Sequence, residues 1–70
     1  MKDFETWKNE IDAEIEKIKI SKKRRAFYGL SLEMSDSTSH SLKNYYEGKG
    51  LPVIAKKCPR GLWDLIIEIR

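Results

Sequence analysis

Apolar residues Phe4, Trp7, Ile11, Ile15 and Ile18 recur at intervals of three, four, four and three residues. Such a stripe lies along one face of an α-helix, and it predicts an amphipathic helix from about residue 3 to the low twenties. Acidic residues crowd its start and lysines its end, an order that suits the helix macrodipole. The segment 26–34 is ambiguous by pattern. Phe27, Leu30 and Met34 sit at helical spacing, whereas Tyr28, Leu30, Leu32 and Met34 alternate as in a strand. Gly29 weakens either choice, and the unbroken basic run before it tips the expectation towards helix.

Ser35, Asp36, Ser37, Thr38 and Ser39 form a cluster of residues whose short polar side chains take up free amides at a helix start. A second helix is expected over about residues 39–47. It places Leu42, Tyr45 and Tyr46 on one side and His40, Lys43, Asn44 and Glu47 on the other, and it ends at the glycines of residues 48–50. Val53, Ile54 and Ala55 then read as strand. Cys58-Pro59-Arg60-Gly61 fits a type I turn, and Leu62 to Arg70 supplies a second strand with Trp63, Leu65, Ile67 and Ile69 on its core face. The expected architecture is α+β: a long N-terminal amphipathic helix, a short second helix and a C-terminal antiparallel β-hairpin, with a possible third strand or helix at 26–34.

Seventy residues suit one small domain with a limited core, and they exclude a cofactor domain beside a substrate domain. A single cysteine, Cys58, forms no internal disulfide, and together with a single histidine it does not complete a zinc site of three or four N or S ligands. No run approaches the roughly 20 apolar residues of a membrane span, and the charged N-terminus does not read as a signal peptide. The sequence therefore points to a cytoplasmic protein with no cofactor, no metal and no membrane partner.

The formal net charge of +3 conceals segregation. Residues 1–16 carry six acids and two lysines, and residues 17–25 carry six bases and no acid, including Lys22, Lys23, Arg24 and Arg25. A second basic block, Lys49, Lys56, Lys57 and Arg60, lies in residues 48–61, which hold no acid. Folded onto one face, the two blocks would form an electrostatic footprint for phosphates. Taken alone, either block reads more readily as a solubilising surface; the two together weigh evenly.

Candidate chemistry is sparse. Asp36, Ser39, His40 and Ser41 contain the residue types of a hydrolase triad, but neighbours at a helix start point apart, so catalysis is not expected. The glycines match no phosphate-binding loop. Cys58 beside Lys57 and Arg60 has the cationic surroundings that lower a thiol pKa, although a turn cysteine without a role is the simpler reading. Tyr28, Tyr45, Tyr46 and Trp63 are candidates for stacking on bases. Core packing is the plainer reading for Tyr45 and Trp63.

Thr38, Ser41, Leu42 and Tyr45, then Gly50-Leu51-Pro52-Val53-Ile54 and Arg60-Gly61-Leu62-Trp63-Asp64-Leu65, resemble the recognition helix and following wing of small phage-type helix-turn-helix regulators. These are the excisionases, the Cox-type directors of lysogeny and the N-terminal module of small terminases. The resemblance covers about residues 38–65 and implies a helix in the major groove with the hairpin on phosphate or minor groove. It places Ser39, His40, Lys43 and Asn44 towards the groove and Lys56, Lys57 and Arg60 on the wing, with Leu42 and Tyr45 in the core. The function expected is a small non-enzymatic nucleic-acid-binding regulator, with DNA favoured over RNA although basic residues read either backbone. The alternative is a small protein-binding inhibitor or adaptor that uses the acidic face of helix 3–20, around Glu10, Asp12, Glu14 and Glu16, as a lure for a basic groove. The N-terminal helix also offers a seam for a homodimer or a protein partner.

Overall fold

The computed structural model describes residues 2–21 and 25–69. Two helices cover one face of a three-stranded antiparallel sheet. Helix α1 (Phe4–Ser21), strand β1 (Ala26–Glu33), helix α2 (Asp36–Glu47), strand β2 (Val53–Cys58) and strand β3 (Leu62–Glu68) follow in chain order. In the sheet β3 lies between β1 and β2. The α+β architecture with its long N-terminal helix and C-terminal hairpin is thus observed.

Helix α1 starts where the side chain of Asp3 accepts the Thr6 N–H at 2.9 Å, an N-cap. The backbone carbonyl of Asp3 takes the Trp7 N–H at 3.0 Å. Trp7, Ile11 and Ile15 are buried, and Phe4 and Ile18 pack at the margin of the core. Helix α2 begins three residues before the expected start, because Ser35 rather than a later serine is the cap. Its backbone is extended and its hydroxyl accepts the Thr38 N–H. The far end closes through Gly50, at φ +82°. There the Gly50 N–H reaches the Glu47 carbonyl at 2.9 Å and the Leu51 N–H reaches the Tyr46 carbonyl at 3.1 Å. This bond pair is a Schellman motif, in which glycine occupies the left-handed position without steric cost.

The segment 26–34 is a strand, not the helix its basic approach favoured. Ala26 to Gly29 pair with Glu68 to Leu65, and Leu32 and Glu33 pair with Trp63 and Leu62, leaving a bulge of one extra residue between Gly29 and Leu32. Ser31 sits in it at φ +55°, and its N–H bonds to the Asp64 carboxylate at 2.8 Å. The inward residues are consequently Phe27, Gly29, Leu32 and Met34, a spacing that matches neither a helix nor an uninterrupted strand.

Trp63, Leu65, Ile67 and Ile69 point from β3 into the core beside Val53, Leu42 and Tyr46. Helix α1 packs chiefly over β1, and α2 over β2. The opposite face of the sheet is open: Tyr28, Ile66 and Ile54 stand opposite one another across the three strands, with Tyr28 and Ile54 exposed.

Candidate nucleic-acid interface

Helix α2 turns Ser39, Leu42 and Tyr46 inward and leaves His40, Ser41 and Asn44 exposed. Ser39, expected to face outward, is only 1% exposed, because it lies one turn before Leu42 on the stripe that continues to Tyr46. His40 and Asn44, four residues apart, share the outer face. Lys43 lies at the margin, 3.4 Å from the Glu47 carboxylate one turn on.

The hairpin stands against the first turns of α2. Lys57 of β2 reaches the Asp36 carboxylate at 3.1 Å, and the His40 ring meets Trp63 edge-on with centroids 6.3 Å apart. Trp63 in turn pairs with Lys57 across the sheet. His40, Lys57 and, by its place in the turn, Arg60 therefore belong to the α2–hairpin end of the molecule, while Lys43 and Asn44 follow about two turns beyond Asp36 along α2. Lys56 does not join them, since consecutive strand residues alternate faces; it lies on the open face, opposite Asp64.

The turn differs from the expected type I turn at residues 58–61. Arg60 (φ +65°) and Gly61 (φ +72°) both have left-handed backbones, and the Leu62 N–H bonds to the Pro59 carbonyl. That is a tight turn centred one residue later, on Arg60 and Gly61, within a three-residue loop between the paired Cys58 and Leu62. It holds Arg60, an exposed cation, at the tip of the hairpin.

Arg25, from the other basic block, lies elsewhere. The Arg25 carbonyl accepts the Ile69 N–H at 2.7 Å, and the hairpin turn follows the Cys58–Leu62 pair at the other end of β3. Seven strand residues, about 24 Å at 3.4 Å each, separate Arg25 from the hairpin tip. Arg25 and the hairpin cations therefore occupy opposite ends of the sheet. Lys22, Lys23 and Arg24 lie outside the described residues.

Several sequence candidates are drawn inward. The Tyr46 hydroxyl donates to the Asp12 carboxylate at 2.7 Å; burial, then this bond, raise its pKa well above the usual tyrosine range. Tyr45 packs edge-on against Phe4 and Tyr46, with the Lys49 ammonium 4.5 Å from its ring. Trp63 is buried, so Tyr28 alone of the stacking candidates presents an exposed ring. The Cys58 thiol is raised rather than lowered, by loss of water contact and by the Asp64 carboxylate beside it, and it donates weakly to the Lys56 carbonyl at 3.8 Å. Among the described residues no group of three or more His, Cys, Asp or Glu is placed to hold a metal, and no helix is long and apolar enough to cross a membrane.

No family model matches the chain, and no curated protein or solved structure matches it significantly.

Proposed function

We propose that the protein is a small non-enzymatic DNA-binding module that docks through the outer face of α2 and the tip of the β2–β3 hairpin. The observation that carries this reading is the placement of Arg60. A non-glycine residue in the left-handed region costs roughly 1–2 kcal/mol, and asparagine or glycine would relieve it, yet a long cation stands at this tip beside a helix exposing His40 and Asn44. Strain of this kind is found where a side chain is used. The helix-then-hairpin order also agrees with the resemblance to phage-type regulators, although a strand precedes α2 where those proteins have a helix. In this reading Lys43, Lys57 and Arg60 contact phosphates, while Asn44 and His40 face base edges. The ion pairs of Lys57 with Asp36 and Lys43 with Glu47 are exposed and weak, and phosphate displaces them at little cost.

Fluorescence anisotropy with labelled duplex DNA, single-stranded DNA and RNA at about 50 and 200 mM salt tests the proposal. Duplex binding that falls with salt, and that Lys57→Glu with Arg60→Glu abolishes, is the expected result. Absence of binding to every nucleic acid at the lower salt overturns it.

A further inference from the structure

A furrow runs between α1 and β1, on the flank of the molecule away from α2. It consists of two adjoining cavities of about 630 and 310 Å³ that share Lys2 and Trp7. Its floor is apolar, formed by Trp7, Ile11 and Phe27. Four carboxylates, Asp3, Glu10, Glu14 and Glu33, line it against one ammonium, that of Lys2. A flank this acidic is notable on a chain whose formal net charge is +3.

The acidic residues of α1 do not act as one face. Asp12 is turned towards α2, where Tyr46 holds it. Glu10 and Glu14, four residues apart, share the furrow side.

Lys2 indicates what the furrow accepts. It comes from the chain segment before α1, lies 4.6 Å from the centroid of the Trp7 ring and reaches Glu10 at 2.7 Å. A cation is thus already stacked on the indole and bound to the carboxylate, the combination that favours lysine or arginine over other side chains. Lys2 remains about half exposed, at 47%, and exposed ion pairs of this kind are weak, so an incoming cation can replace it.

We propose that this furrow receives a basic, apolar-anchored peptide segment of a partner protein. A lysine or arginine of that segment stacks on Trp7 and pairs with Glu10, and an adjacent apolar side chain settles over Ile11 and Phe27. Phosphate is repelled from the same wall, so the surface is separate from the α2–hairpin end and does not depend on DNA binding there.

The test is selection of a displayed random-peptide library on the immobilised full chain, with the Glu10→Lys/Glu14→Lys/Glu33→Lys variant as the counter-target. All three positions are exposed, and circular dichroism confirms that the variant folds. The enriched peptides should pair lysine or arginine with apolar residues. A synthetic copy should bind the wild-type chain, lose at least tenfold in affinity on the variant, and shift the NMR signals of the Trp7 indole and the Phe27 ring. The proposal is overturned if nothing is enriched, if enriched peptides are acidic or neutral, or if the variant binds them equally. It is also overturned if the chain alone self-associates in sedimentation with shifts at the same residues, which would make a second copy the occupant. Loss of DNA binding in the anisotropy experiment leaves this result untouched.

Discussion

Tyr46 joins the two helices. Its ring is 1% exposed, and its hydroxyl donates to Asp12 at 2.7 Å and lies 3.3 Å from the Lys8 carbonyl. Tyr46→Phe keeps the packing and removes a bond to a charged acceptor, so stability should fall by about 1–2 kcal/mol. Urea unfolding followed by circular dichroism measures this, and an unchanged midpoint would show that water replaces the hydroxyl at no cost. Gly29 fails for the opposite reason, because a β-carbon there would lie 2.7 Å from Leu32 Cδ1 and 2.8 Å from Phe27 Cε1. Gly29→Ala should cost about 1–3 kcal/mol as overpacking. Asp3 supplies a pH dependence. The Thr6 amide bond holds its carboxyl below the ordinary 3.8, so its stabilisation is present above that value and is lost as pH falls through the lower folded pKa. Asp3→Asn preserves the cap and should flatten this acid limb, whereas Asp3→Ala should lower stability throughout; unfolding midpoints across the acid range distinguish the two.

At the scale of elements, the hairpin turn sets stability against use. Arg60→Asn relieves a left-handed arginine and should raise stability by up to about 1 kcal/mol, while weakening DNA binding if Arg60 contacts phosphate. Thermal unfolding and anisotropy on the same variant read both effects, and a stabilised variant with unaltered affinity would remove Arg60 from the interface. Which elements were legible follows from their regularity. The stripe Trp7, Ile11, Ile15 keeps one period throughout, and β3 alternates cleanly from Trp63 to Ile69, so helix and strand could be read directly. Segment 26–34 could not, because the bulge at Leu30 and Ser31 shifts the inward set in mid-strand, and a bulge stabilised by Asp64, 33 positions away in the chain, leaves no local signal. Ser39 was misplaced for a related reason. Small residues are at home both at helix starts and on buried stripes, and only the cap at Ser35 fixes which turn Ser39 occupies.

Across the whole molecule, charge divides the surface into separate regions. Lys57 and Arg60 stand at the hairpin end, Arg25 at the other end of the sheet, and the acidic furrow on the α1 flank. If only the α2–hairpin end docks, Lys43, Lys57 and Arg60 displace the counterions, and the logarithm of affinity should fall with the logarithm of salt at a slope of about −2.7, at 0.9 per phosphate. Arg60→Ala should then bring the slope to about −1.8. Charge reversal of Arg25 should leave it unaltered, since about 24 Å separates that residue from the tip. A salt titration on one duplex measures all three slopes. A slope much steeper than −2.7 that Arg25→Glu reduces would mean that DNA spans both ends of the sheet, and its path would then run along a full strand length instead of ending at the hairpin.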